Sequence, residues 1–159
     1  MRTVPFLFAL LAVLGGLGVS GCALTDDGSK TIIASEGAPA AIGPYSQAVL
    51  VDDTLYLSGQ IAIDPATGKL VTNGIEAETR RVLDNMSAVL EEAGMRFEDV
   101  VQVQVFLADL DHYSVVNGIY AEYFKKDFPA RAAVQVARLP KDVSIEIMAV
   151  AVRGAGGRR

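Results

Sequence analysis

Apolar positions between residues 31 and 153 follow two periodicities, and the change from one to the other marks the elements. From Asn73 to Gly94, the residues Ile75, Thr79, Val82, Leu83, Met86, Val89, Leu90 and Ala93 recur at helical spacing. They predict an amphipathic helix, with Asn73 and Glu76 spaced as a capping box and Gly94 placed to end it. A second helix is predicted from about Tyr113 to Phe124, capped by Asp111; Gly118 inside it costs ~1 kcal/mol relative to alanine. The remaining apolar runs read as strands. They are Thr31 to Ile33, Ala48 to Val51, Leu55 to Leu57, Val101 to Leu107, a run opening at Arg131, and Ile145 to Val152. Asp52-Asp53 turns the second run into the third, which continues into Ser58-Gly59-Gln60-Ile61. A glycine inside a strand pattern marks a bulge or a close backbone approach. Asp64 to Gly68 is a turn by composition.

Strand alternation then sorts the side chains into faces. In the fifth strand Ala132, Val134 and Val136 point one way, and Arg131, Ala133 and Gln135 the other. In the last strand Ile145, Ile147, Ala149 and Ala151 oppose Glu146, Met148, Val150 and Val152, so both faces are apolar enough to be covered. Two helices cover one face of such a sheet. The other is expected to carry Gln102, Gln104, Arg131, Gln135 and Glu146 among apolar neighbours and to meet another copy of the chain. The expectation is a single α+β domain, a mixed sheet of about six strands with both helices on one face, in a homo-oligomer with ligand sites near subunit boundaries.

The first residues do not belong to that domain. Met1-Arg2, an apolar run from Val4 to Leu17 and the small residues before Cys22 read as an export signal, too short for a confident membrane span. Cys22 is the only cysteine, which excludes an intramolecular disulfide; directly after Ser20-Gly21, it resembles the lipidation site of a bacterial lipoprotein signal. The expected division is a signal peptide over 1–21, a tether over 22–30, the folded domain over 31–153 and a disordered tail over 154–159. The expected address is the periplasm or cell envelope, through an N-terminal lipid anchor. Plain secretion and a misplaced start codon are the rival readings. Fourteen Lys and Arg against 19 Asp and Glu give a net charge of −5, which argues against a nucleic-acid partner.

Chemistry converges on Arg131 and Glu146. The polar, proline-containing segment Ala137 to Asp142 connects their two runs, which therefore look like neighbouring strands presenting both charges on one surface. Arg131 offers a rigid fork of donors that matches a carboxylate ligand; it could equally pair with an internal acid, Glu146 included. A carboxylate between isoleucines has its pKa raised, which suits moving protons or holding a water, or it is a satisfied interface acid. Tyr45 ends a loop, where tyrosine is ordinarily packing, and Asn117 lies on the second helix. The single histidine, His112, has no Cys or His partner at ligand spacing, so no metal is expected and no serine triad assembles.

Taken in order, these stretches resemble the reactive intermediate/imine deaminase family, also called the YjgF family, over nearly all of residues 31–152. The matching stretches are Ala40 to Gln47, Ser58-Gly59-Gln60-Ile61, Leu83-Asp84-Asn85, Val116-Asn117, Phe128-Pro129-Ala130-Arg131, Val136 to Val143, and Ile145-Glu146-Ile147. The resemblance implies a chorismate-mutase-like subunit in a homotrimer, with a site in each cleft between subunits. It implies hydrolysis of enamines and imines of the 2-aminoacrylate and 2-imino acid type to the 2-oxo acid and ammonia, with no cofactor and no metal. By the same resemblance Arg131 clamps the substrate carboxylate and Glu146 activates the attacking water. Gly59 contributes backbone hydrogen bonding, Tyr45 and Ser58 line the ligand, Asn117 supports the pocket, and the backbone carbonyl of residue 133 holds substrate nitrogen or water. Three features depart from the pattern. Ala133 stands where many active members carry cysteine, Met148 where a second acid is common, and the segment between Asn117 and Arg131 is shorter. The usual enamine sources of the family are cytosolic, so an exported copy meets a different imine or binds without hydrolysing. The alternative to a deaminase is therefore a non-catalytic trimeric binding protein for small carboxylates or a protein partner. Ribonuclease activity, attached to some relatives, is disfavoured by the acidic chain.

Overall fold

The computed structural model describes residues 30–157, and the predicted signal peptide and lipidation site at Cys22 lie outside the described residues. The order is β1 (Thr31–Ile33), β2 (Ala48–Val51), β3 (Thr54–Gln60), α1 (Ile75–Glu92), β4 (Val100–Leu107), α2 (Tyr113–Tyr123), β5 (Ala130–Gln135) and β6 (Ile145–Val152). They form one six-stranded sheet in the order β1-β2-β3-β6-β4-β5. Both β3 and β4 run antiparallel to β6, which inserts between them, and β4 pairs parallel with β5. The β3-to-β4 and β4-to-β5 connections each contain one helix, as links between parallel strands require.

The helices share one face, and the core lies beneath them. Val82, Leu83, Met86, Val89 and Leu90 of α1 pack against Leu55 and Leu57 of β3, Val103, Val105 and Leu107 of β4, and Ile145, Ile147, Ala149 and Ala151 of β6. Each large aliphatic side chain buried here contributes about 1.5–3 kcal/mol. α2 adds Val116, Ile119 and Tyr120, with Phe97, Tyr123 and Phe124 meeting edge-on beside them.

Several local expectations are corrected. α1 starts from Gly74, with no side-chain cap, so Asn73 and Glu76 form no capping box. Its end is as expected. Gly94 takes φ 68°, its N–H donates to Glu91 O and that of Met95 to Leu90 O, the Schellman pattern. α2 is preceded by a 3₁₀ turn over Leu110–His112, and Asp109 rather than Asp111 caps it, accepting from Asp111 N at 2.9 Å. The strand expected from Val101 begins one residue earlier, at Val100. A bulge between Val100 and Gln102 turns Val100 inward and leaves Val101 exposed. Residues 154–157 of the expected disordered tail are held in place: Gly154 N and Gly156 N both donate to Oδ1 of the buried Asp99.

The other face of the sheet carries Tyr56, Gln102, Gln104, Phe106, Ala132, Val134, Glu146, Met148 and Val150, and no helix among the described residues crosses it. Tyr56 is 52% exposed and Val134 46%, which is costly for apolar surface in water.

Candidate functional site

Arg131 and Glu146 do not share a face. In the β4–β5 ladder Arg131 stands opposite Val103, which is buried under the helices, whereas in the β4–β6 ladder Glu146 stands opposite Phe106. Val103 and Phe106 are an odd number of residues apart on one strand, so their partners project to opposite sides of the sheet. Nor are their strands neighbours, because β4 separates β5 from β6. The alternation read within each strand is right; the assignment of Arg131 and Gln135 to the uncovered face, beside Glu146, is overturned. With them falls the internal Arg131–Glu146 bridge.

The carboxylate half is built around a missing side chain. The β3–β6 pairing slips between Leu57 and Gln60, which sets Gly59 directly beneath Glu146. A Cβ at residue 59 would collide with Oε1 of Glu146 and lie 2.8 Å from its Cδ, so glycine is the residue that fits. The two residues open onto a recess of about 380 Å³ lined also by Ile42, Tyr45, Ser58, Ile61 and Pro140. Burial pushes the Glu146 carboxyl above the ordinary carboxylate range. No cation among the described residues pairs with it.

Hydrogen bonds fix the wall of this recess. Ser58 Oγ donates to Ser46 O at 2.6 Å, and the Tyr45 hydroxyl accepts from Ile42 N at 3.2 Å, which folds the ring back over its own loop. Gln47, 6% exposed, holds that loop: its Nε2 donates to the carbonyls of Ser35, Ala38 and Pro39, and its Oε1 accepts from Ser35 N. Two polar residues of α1 reach across the core to the same region. Asn85 Nδ2 donates to Ile61 O and Ile63 O, which fixes the chain leaving Gly59. Glu78 accepts from Ser144 N at 2.8 Å and Ser144 Oγ at 2.9 Å, which fixes the start of β6 two residues before Glu146. Gln47, Asn85 and Glu78 had no assigned role in the sequence reading. The available signal was position: Glu78 and Asn85 fall four residues before and three after Val82, on the buried stripe of α1, where a polar residue requires a partner.

The guanidinium half lies at the other side of the sheet, on edge strand β5 beside α2. Arg131 Nη2 donates to Asn117 Oδ1 at 2.7 Å and to the Tyr113 hydroxyl at 3.3 Å. Its Cζ lies 4.6 Å from the centroid of the Tyr120 ring, within range of a cation–π contact. No carboxylate among the described residues pairs with it, so its charge is compensated only by dipoles and a ring face. Burial raises the Tyr120 phenol to about 12, so this neighbour stays neutral at physiological pH. Two recesses flank Arg131. One of about 290 Å³ runs past Asn117, Tyr120 and Phe128; the other, about 560 Å³, past Leu110, Tyr113 and Ala133. Asn117, Arg131 and Ala133 thus group together, as do Tyr45, Ser58, Gly59 and Glu146, and the two groups are separate within one chain. Among the described residues no cluster of His, Cys, Asp and Glu could hold a metal ion.

Each group offers one half of a polar site. An unpaired guanidinium in an open recess binds a carboxylate; a desolvated carboxylate over a glycine handles a proton.

Known proteins match over this same region. The Endoribonuclease L-PSP profile matches residues 35–153. A human 2-iminobutanoate/2-iminopropanoate deaminase is 54% identical over 125 residues, covering 79% of this chain and 91% of that protein. A RutC family protein of Pyrococcus abyssi is 50% identical, covering 79% and 98%. Among solved structures, a putative endoribonuclease of Thermotoga maritima aligns with TM-score 0.76 at 50% identity, covering 77% and 97% of the two chains. The YjgF gene product of E. coli aligns with TM-score 0.74 at 47% identity, covering 77% and 98%.

Proposed function

The chain belongs to the Endoribonuclease L-PSP family, and from that premise we propose that it is a cofactor-independent deaminase of small 2-imino acids. Water adds to the imine carbon, the carbon–nitrogen bond breaks, and the products are the 2-oxo acid and ammonia; an enamine such as 2-aminoacrylate enters after tautomerising to the imine. The observation that carries the reading is Glu146, half-buried, without a cation partner among the described residues, and set over a glycine beside an open recess. Its carboxylate takes a proton from the water as the oxygen bonds to carbon, and returns it to the departing nitrogen. Arg131 holds the substrate carboxylate, and Asn117 and the Tyr120 ring hold Arg131. Gly59 offers backbone groups, Tyr45 and Ser58 bound the carboxylate half, and the carbonyl of Ala133 faces the substrate nitrogen or water. A backbone carbonyl serves equally well on alanine, so the absent thiol leaves this role intact.

The two halves belong to different subunits. Arg131 and Glu146 are separated by the sheet, so one cleft takes Arg131, Asn117 and Ala133 from one protomer and Tyr45, Ser58, Gly59 and Glu146 from the next, in a homotrimer. The uncovered sheet face, with Tyr56, Val134 and Met148, supplies apolar surface for that assembly.

The purified chain is expected to release ammonia and 2-oxo acid from freshly generated 2-aminoacrylate, and Arg131→Ala to abolish the rate. An assembled protein with no rate above buffer, yet stabilised by 2-oxo acids in a thermal-shift screen, would indicate a binding protein instead. That second reading draws on Ala133 standing where many active relatives carry a thiol.

The cellular address is a separate proposal. The basic start, the apolar run and the small residues before the single cysteine support export and lipidation at Cys22. Incorporation of a fatty-acid label by the wild type, lost in Cys22→Ala, is the expected result; unlabelled protein confined to the cytosol would sink it.

A further inference from the structure

Among the described residues, the Arg131 side chain donates its hydrogen bonds from one nitrogen. Nη2 donates to Asn117 Oδ1 at 2.7 Å and to the Tyr113 hydroxyl at 3.3 Å, which uses both of its N–H groups. A carboxylate that takes two parallel bonds from a guanidinium needs Nη2 on either edge, paired with Nη1 or with Nε. A bound carboxylate must therefore displace one of the two partners. The Tyr113 bond is the longer and yields first. The phenol then stands beside the carboxylate with its own O–H free to donate. Its place is fixed by the fold: Tyr113 is the first residue of α2, its ring centroid lies 5.7 Å from Arg131 Cζ, and it lines the same recess as Arg131 and Ala133.

We propose that Tyr113 is a further substrate-binding residue: its hydroxyl caps Arg131 Nη2, and reverses from acceptor to donor when a substrate carboxylate takes that nitrogen. This rests on the reading of Arg131 as the carboxylate clamp. Arg131 on β5 faces the phenol directly, and Asp111 in the turn ahead of α2 lines the same recess. Of these, Arg131 acts with the Asn117 hydrogen bond: Asn117 first and the Arg131 charge second hold the phenol below its ordinary value. Deprotonation removes the donor and sets a negative charge against the carboxylate. Ligand affinity therefore falls as pH rises through the phenol.

The test is calorimetric titration of 2-oxobutanoate into the full chain, as wild type, Tyr113→Phe and Arg131→Ala, at about pH 7 and about pH 9.5. Tyr113→Phe is expected to weaken binding about 10- to 150-fold at the lower pH, the loss of one hydrogen bond to a charged group. Deaminase kinetics should place that loss on KM rather than kcat. The wild type should bind more weakly at the higher pH, and the phenylalanine variant should lose that dependence. If Arg131→Ala abolishes binding while Tyr113→Phe matches the wild type at both pH values, the Tyr113 inference falls and the clamp stands. If Arg131→Ala binds as the wild type does, the clamp itself is wrong and this inference goes with it. A wild-type affinity that does not change between the two pH values also overturns it, and needs no variant.

Discussion

Glu146 and Gly59 act as one unit, and their coupling can be measured. The three heavy atoms nearest a methyl group at residue 59 all belong to the Glu146 side chain, and Gly59 has no positive φ, so Gly59→Ala strains the carboxylate first. The variant is expected to fold and to lose about tenfold or more in kcat, because the base is pushed off its position. In Gly59→Ala/Glu146→Ala the collision is gone, so the alanine at 59 should cost almost nothing in thermal stability there. Equal costs in both backgrounds would refute the contact. The raised Glu146 pKa has its own sign. The folded chain holds this proton more tightly than the unfolded chain, so stability is lost as pH rises through the folded pKa, and the ionised carboxylate destabilises the fold at neutral pH. Glu146→Gln should therefore unfold at a slightly higher temperature than the wild type while losing the deaminase rate. The rate itself should fall at acid pH with an apparent pKa above the ordinary carboxylate range, because the base must be ionised to act.

At the scale of elements, α1 does more than cover the sheet. Its buried stripe holds Glu78 and Asn85, which tie the beginning of β6 and the exit from β3 to the same helix. Residues 59 and 146 are thus set relative to each other by a third element. Glu78→Ala leaves Ser144 N without its acceptor and is expected to cost about 1.5–3 kcal/mol, the range for hydrogen bonds to a charged group, by chemical denaturation. It should also lower the deaminase rate, since Glu146 is two residues along β6. Helix α1 was readable from its apolar repeat, and so was its end at Gly94, whose φ of 68° suits glycine. The partners of Glu78 and Asn85 were not readable, because they lie 66 and 24 or 22 residues away in sequence.

For the whole molecule, the separation of Arg131 from Glu146 makes assembly part of the chemistry. Arg131→Ala and Glu146→Gln assemblies are each expected to be inactive. Co-assembled, some clefts in the mixture receive an intact Arg131 from one subunit and an intact Glu146 from its neighbour, and activity should reappear. No recovery in demonstrably mixed assemblies would place both residues in one subunit's site, against the sheet geometry.

By itself the sequence determined the class of the fold, the two helices, the strands, and which side chains share a face within each strand, because helical and strand periodicities are local. It also singled out Arg131, Glu146, Gly59 and Asn117. Which face of the sheet each set occupies was decided only by tertiary structure. β5 has two weakly apolar faces, Ala132 and Val134 against Arg131, Ala133 and Gln135, so alternation leaves its orientation open. Its parallel register with β4 settles the matter, by setting Arg131 opposite the buried Val103. The insertion of β6 between β3 and β4 is equally non-local, and it carries Glu146 to Gly59 and away from Arg131.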